Sequence, residues 1–360
     1  MSHKTRVAVL FGGQSAEHEV SLQSAKNLLA ALDPARYETV LIGIDKQGRW
    51  HHAEPEALKA VPIGGTLALN GNPLAISPGH AAEALPTLPE GAGRVDVVFP
   101  ILHGPHGEDG TVQGLLRLAG IPFVGCDVLG SAVGMDKDVM KRLLRDAGLP
   151  IAKFRAIRRE EGAEARYADL VEELGSPLFV KPANLGSSVG IHKVRTEKEW
   201  STALSDAFSY DSKVMVEEFV PCRELEVAVL GNETPEASIV GEIVPTHDFY
   251  DYEAKYLDAN GARLEIPAPL PESIALECRR LALETYRVLC AEGLARIDFF
   301  LTTEQRLLVN EINTMPGFTR SSMFPKLWEA TGLSYPALID RLIDLALARH
   351  TYRMAKPAHV

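Results

Sequence analysis

At 360 residues the chain is longer than one hydrophobic core usually serves, so two or three domains are expected. Its 46% hydrophobic and 24% charged residues are those of an ordinary water-soluble globular protein, and 37 basic against 48 acidic residues leave a net charge of −11. No Lys/Arg-rich run is present, which argues against nucleic acid as a main partner while leaving room for a local phosphate pocket.

The N-terminus leads from Met1 straight into the apolar run Val7–Phe11, too short for a signal-peptide core, and no 18-residue apolar stretch follows. Cys126, Cys222, Cys278 and Cys290 are scattered, without a CxxC pair. Both features fit a reduced, cytoplasmic protein that does not enter a membrane.

The first elements form a β-turn-α unit: Val7–Phe11 is a strand, Gly12-Gly13 breaks it, and Val20, Leu22, Ala25, Leu28 and Leu29 keep helical spacing. Further strands are expected at Thr39–Ile44 and Val95–Leu102. Their continuous apolar character points to a parallel sheet covered on both faces. The Gly/Pro/Ala-rich stretch 62–93 is a surface excursion, and a third βα unit ends near Val124-Gly125.

From Asp127 the pattern changes. Asp136 can cap a helix running to Arg145, which Gly148-Leu149-Pro150 ends. A helix near Ala163–Leu174, strands at Leu178–Lys181 and Ile191–Val194, a helix from Glu197 and a strand at Val214–Glu217 make a small α+β unit. Strands at Glu224–Leu230 and Ala237–Val244, a Tyr-rich loop at His247–Gly261 and a helix Pro271–Glu292 follow. A hairpin (Ala295–Leu301, Leu307–Asn313) and two helices, about Ser322–Ala330 and Tyr335–Arg349, close the chain. The division that results is 1–125, 126–215 and 216–360.

The strongest chemical constellation is Arg296-Ile-Asp298 with Glu311-Ile-Asn313. Alternate side chains of a strand share a face. A two-residue turn at Glu304-Gln305 sets Asp298 opposite Glu311 and Arg296 opposite Asn313, and a one-residue slip destroys the arrangement. Such oxygen donors suit a hard cation; the bland alternative is a solvated hairpin edge. Next comes Thr314-Met-Pro-Gly317-Phe, a turn able to aim backbone N–H groups at developing negative charge.

Lys181-Pro-Ala-Asn-Leu-Gly186-Ser187-Ser188-Val-Gly190 offers a cation and a donor-rich loop to a phosphate, without Walker A spacing; its alternative is a hairpin turn. Gly12-Gly13-Gln-Ser-Ala-Glu17-His-Glu and His103-Gly-Pro-His106-Gly-Glu108-Asp109 stand at the C-terminal ends of parallel strands, where α/β folds bind ligands. Glu17 could equally be a first-turn residue favoured by the helix dipole. Tyr250-Asp-Tyr-Glu-Ala-Lys255-Tyr256 reads as an active-site lid or as a locally packed loop.

In order along the chain, GGQSAEHEVS, HGPHGEDG, MDKDVMKRLL, KPANLGSSVG, YDYEAKY, ARIDFFL and EINTMPGFT resemble the D-alanine–D-alanine ligase family of the ATP-grasp superfamily. The resemblance implies an α/β (α+β), three-lobed ATP-grasp fold with a Rossmann-like N-terminal parallel-sheet lobe for substrate, a small central lobe and a C-terminal lobe with metal site and lid. It implies ATP-dependent ligation of two D-alanines through D-alanyl phosphate, for peptidoglycan precursors. It further implies two Mg²⁺ ions (Mn²⁺ able to substitute) and a homodimer.

Matched by position, Lys137 and Lys181 resemble the lysines that grip phosphates, with Ser187 and Ser188 in the covering loop. Glu217 and the Glu218-Phe219-Val220 hinge resemble the adenine contacts, and Glu224 the ribose contact. Asp298, Glu311 and Asn313 resemble the metal ligands. Glu17 resembles the residue for the first D-alanine's ammonium, with His103 nearby, and Arg296 and the Gly317 amide the oxyanion site. Ser321 or Ser322 takes the second carboxylate. Lys255 and Tyr256 belong to the lid, and the Lys-Tyr pair is that of the dipeptide-forming type. The family gives zinc no role at His103 and His106.

Overall fold

The protein is described here by a computed structural model covering residues 4–355, except 63, 68, 70–72, 77–93, 187–188 and 246–261. Its first sheet follows from the apolar runs. β1 (Thr5–Gly12) pairs in parallel with β2 (Tyr37–Ile44) and β4 (Val97–Ile101), and every residue of β4 is buried. β3 (Trp50–Ala53) adds an antiparallel edge on β2, which the sequence reading lacks. Gly12 is required where β1 ends: its φ is +92°, and a Cβ there would come within 2.3 Å of the Ile44 carbonyl oxygen. The helix His18–Ala31 is pinned to this edge by Ser21, whose hydroxyl accepts from Gly12 N–H and donates to Ile101 O.

The second sheet runs β5-β8-β6-β7 and is antiparallel throughout. β5 (Phe154–Arg158), absent from the sequence reading, is its edge; β6 (Leu178–Pro182), β7 (His192–Val194) and β8 (Lys213–Glu218) match expected strands. The helix Glu197–Tyr210, started by a Thr196–Glu199 capping box, buries Trp200, Ala203 and Ala207 against Leu178, Val180, Val214 and Val216.

The third sheet has the order β11-β10-β9-β12-β13: β9 (Cys222–Gly231), β10 (Glu236–Pro245), β11 (Ala262–Glu265), β12 (Gly293–Thr302) and β13 (Leu307–Asn313). Its faces have different fates. Leu225, Val227, Val229, Ala295 and Ile297 pack under the helix Glu272–Val288 in one cluster, which Met140, Leu144 and Leu149 join. Ala228, Leu230 and Leu294 belong to a second cluster shared with the first sheet and the C-terminal helices Met323–Thr331 and Tyr335–Ala355. Arg349 ties the last helix to the first sheet, donating to Phe123 O at 2.7 Å and Gly125 O at 2.6 Å.

The hairpin β12–β13 reaches the expected register by another route. Thr302 N–H donates to Arg306 O at 2.9 Å, so 303–305 form the loop, with Gln305 at φ +61°. This is a three-residue turn ending in a left-handed residue, rather than a two-residue turn. It displaces the strands by one, and a bulge restores them: Phe299 pairs with Val309 but Asp298 with Glu311, leaving Asn310 extra.

Candidate active site

β12 and β13 present Arg296 opposite Asn313 and Asp298 opposite Glu311. The Arg296 guanidinium grips both oxygens of Asp298, Nε to Oδ1 and Nη2 to Oδ2, each at 2.7 Å. A third acid completes the group. Glu226 lies beside Asp298 on β9, with Oε2 3.0 Å from Arg296 Nε. Burial alone would lower the Arg296 pKa, but Asp298 and Glu226 outweigh it and hold the guanidinium well above its ordinary value. Asn313 Oδ1 accepts from Met315 N–H at 3.1 Å and so shapes the following turn.

The two lysines expected at the phosphates arrive from two directions. Asp136 caps the helix Lys137–Asp146, accepting from Asp138 and Val139 N–H, each at 3.1 Å, and pairs with Lys213 at 2.7 Å. That helix carries Lys137 to 3.5 Å from Glu311 Oε2, with Nζ donating to Leu185 O at 2.8 Å. Lys181, on β6, places Nζ 2.7 Å from Glu217 Oε2, and the fully buried Lys141 reaches Glu217 Oε1 at 3.0 Å. Burial opposes the charge of Glu217, yet the two lysines hold its carboxyl below the usual range; burial pushes the Lys141 pKa down.

The expected hinge residues separate. Glu217 is buried among lysines, whereas Glu218 turns away and accepts from Lys153 N–H at 2.7 Å. Phe219 is exposed, with Lys193 Nζ 3.8 Å from its ring centroid. Val220 is half-buried between β8 and β9, and Glu224, on β9, pairs in register with Phe300 and Ile243.

At the edge of the first sheet, Glu17 and His103 are both buried, with Glu17 Oε2 against Gly104. His103 Nδ1 lies 3.1 Å from Met315 O and 3.6 Å from Glu108 Oε1, and its Nε2 is 3.5 Å from Ser24 Oγ. Burial would make His103 shed its proton, but Glu108 and Glu17 overcome this and raise its pKa. Burial, with Glu17 adding to it, holds the Glu108 carboxyl above the usual range despite His103. His103 and Met315 come together with Phe99, Leu294, Pro316 and Phe318, so first-sheet and third-sheet residues meet here. Gly317 follows: a Cβ on it would lie 3.0 Å from Ser322 Oγ, which accepts from Thr319 N–H at 3.1 Å, while Ser321 is exposed.

Ser187, Ser188, Lys255 and Tyr256 lie outside the described residues. Three site residues carry no role in the sequence reading. Lys141 had a signal, since it stands one helical turn after Lys137. Glu226 alternates with Glu224 at the start of a strand that is apolar from Val227 to Leu230, a weaker mark. Glu108 stood in a quoted motif, but nothing in the spacing aimed it at His103. Among the described residues no cluster of three His, Cys, Asp or Glu is arranged as a metal site.

Two family profiles match the chain, D-ala D-ala ligase N-terminus over residues 6–126 and D-ala D-ala ligase C-terminus over 143–344. The D-alanine–D-alanine ligase of Oceanobacillus iheyensis is 51% identical over 356 residues, covering 96% of each chain. D-alanine–D-alanine ligase A of Escherichia coli (strain K12) is 52% identical over 352 residues, covering 96% of this chain and 97% of its own. Among solved structures, the D-alanine–D-alanine ligase of Coxiella burnetii superposes with a TM-score of 0.87 at 40% identity, over 98% of this chain and 97% of its own. The VanG D-Ala:D-Ser ligase of Enterococcus faecalis gives 0.83 at 35% identity, over 96% and 100%.

Proposed function

The chain belongs to the D-alanine–D-alanine ligase family, and from that premise we propose that it joins two D-alanines into D-alanyl-D-alanine for peptidoglycan precursors, with ATP converted to ADP and phosphate. The observation that carries the reading is the meeting of three groups: the Arg296/Asp298/Glu311/Asn313 face, Lys137 beside Glu311 with Lys181 on Glu217, and the Glu17/His103 edge, which reaches the turn after β13 through Met315.

A carboxylate is a poor electrophile. The first D-alanine carboxylate therefore attacks the γ-phosphorus of ATP, the bond to ADP breaks, and D-alanyl phosphate forms. Lys137 and Lys181 offset the phosphate charge, which such a transfer needs more than covalent help. Ser187 and Ser188 cover the phosphates, the Glu217–Val220 segment holds adenine, and Glu224 takes the ribose. Glu17 binds the first ammonium beside His103. The second D-alanine, its carboxylate held at Ser321 or Ser322, attacks the acyl carbon through its amine; phosphate leaves and the amine loses a proton. Arg296 and the Gly317 amide receive the tetrahedral oxyanion, and loss of such a donor typically costs about 10²–10³ in rate.

Asp298, Glu311 and Asn313 fit a hard cation because the hairpin register brings their side-chain oxygens together, Asp298 opposite Glu311 with Asn313 two residues on. They would hold two Mg²⁺ ions, with Mn²⁺ able to replace them, and bound metal supplies further neutralisation of phosphate charge. The roles of Lys255 and Tyr256, closing over ATP, rest on the sequence resemblance alone. A cytoplasmic homodimer, with working lobes 1–125, 126–215 and 216–360, completes the proposal. No helix among the described residues is long and apolar enough to cross a membrane.

The test is phosphate release from Mg-ATP with D-alanine, L-alanine or D-lactate, beside mass detection of product. Phosphate and D-alanyl-D-alanine with D-alanine alone is the expected result. Turnover with another amino acid but not with D-alanine would overturn the substrate and leave the ligase chemistry.

A further inference from the structure

Lysine is almost never fully buried unless its charge is paired. Lys141 is fully buried, and its ammonium faces Glu217 Oε1 at 3.0 Å with the Phe154 ring centroid 5.8 Å away. Glu217 spends its other oxygen on Lys181, at 2.7 Å. One carboxylate therefore serves two ammonium groups that come from different elements, the helix Lys137–Asp146 and β6. Stability alone does not account for this, because a buried ion pair is often no better than apolar side chains of the same volume.

Resting on the reading that ATP phosphates bind at Lys181, we propose that Lys141 is a positioning residue that acts through Glu217 to hold Lys181 available to the nucleotide. With two cations to one anion, the cluster keeps a net positive charge towards the phosphates. Glu217 aims Lys181, and Lys141 absorbs enough of the carboxylate charge that Lys181 is not locked to it. When Lys181 turns to a phosphate, Glu217 still has Lys141, so no buried charge is stranded. Without Lys141, Glu217 would hold Lys181 with its whole charge and repel the phosphates.

A double-mutant cycle on the full chain tests this, read as the dissociation constant of β,γ-imido-ATP with Mg²⁺ by calorimetry, with Tm recorded for every variant. Lys141→Met keeps the volume and removes the charge. It is expected to weaken binding about tenfold in the otherwise unchanged protein and less than about twofold in a Lys181→Met background, since coupled residues do not add. The same loss in both backgrounds, or no loss in either, overturns the inference. Should Lys141→Met not fold, Lys141→Gln, which retains a donor towards Glu217, gives the same cycle with the same two outcomes. Failure of the unchanged protein to bind the nucleotide overturns the site reading as well, whereas tight binding with an additive cycle overturns this inference alone.

Discussion

Two buried charge clusters in this molecule are built with opposite arithmetic. Around Glu217, one carboxylate is shared by Lys141 and Lys181. Around His103, two carboxylates, Glu17 and Glu108, bear on one imidazole. The first is weighted positive, the sign an ATP phosphate needs; the second is weighted negative, the sign an ammonium needs. A buried cluster with one surplus charge is incomplete without its ligand, and the sign of the surplus states what that ligand carries.

The largest expected effects come from removing the surplus at each cluster. Glu17→Gln should lower kcat/KM for D-alanine about 100-fold and leave the KM for ATP within about threefold, since truncating a buried charged contact costs a few kcal/mol. Lys181→Met should do the reverse, by a similar factor for ATP. Steady-state kinetics with each substrate varied separately reads both. If either variant damages both substrates equally, the clusters do not divide the work as their charges imply.

Glu226 belongs to neither cluster and bears on Arg296 instead. It is the second acid on Arg296, and Asp298, the first, is also a proposed metal ligand. Glu226→Gln keeps the shape and weakens the anchor, with an expected loss of about tenfold in kcat at near-constant KM, because a guanidinium held by one acid is aimed less well. Accumulation of phosphate in excess of dipeptide would place the loss in the second step. An unchanged kcat would make Glu226 a packing residue only.

The clusters should also respond to pH in opposite directions. Glu217 is held below the usual carboxyl range by its lysines. Its contribution to stability is therefore complete above the ordinary glutamate pKa of about 4.3 and is lost as pH falls through the folded value. His103 is raised, so its contribution is complete below the ordinary histidine value of about 6.5 and is lost as pH rises through the folded one. Glu108, also raised, adds to the second trend: its contribution is complete below the ordinary glutamate value and is lost on going up through its folded one. Tm measured against pH should show both limbs, with Glu217→Gln flattening the acid one and His103→Asn the alkaline one. Removal of either residue without change in its limb would sink the corresponding assignment.

Much of this architecture was readable because it is local. The parallel strands announce themselves as apolar runs, Asp136 as a cap, and the hairpin acids by alternation. The register came out as expected although the turn did not: the extra loop residue and the bulge at Asn310 cancel, and neither has a one-dimensional signature strong enough to see. β3, β5 and β11 were missed because WHHA, FRAIR and ARLE are short edge segments whose polar positions face outward or into other elements. Lys141 and Glu226 were missed for another reason. Their meaning depends on partners far along the chain, Glu217 for the one and Arg296 for the other, and a charged residue acquires a role only when folding removes it from water.

The smallest expected effect distinguishes Ser321 from Ser322. Ser322 Oγ lies against the Cα of Gly317 and takes the Thr319 N–H at 3.1 Å, and Ser322 is the residue from which the helix Met323–Thr331 starts. A carboxylate there would meet a hydroxyl and the positive end of that helix together. Both serine hydroxyls lie within hydrogen-bond distance of Thr319 Oγ1, at 2.9 Å for Ser321 and 2.8 Å for Ser322, but Ser321 is exposed and Ser322 is half-buried. Ser322→Ala should therefore raise the KM for D-alanine at the second position by about fivefold, the scale of one ordinary hydrogen bond lost. Ser321→Ala should stay within about twofold. The opposite ranking would move the second carboxylate to Ser321, and with it the face of the Gly317 turn along which the attacking amine approaches.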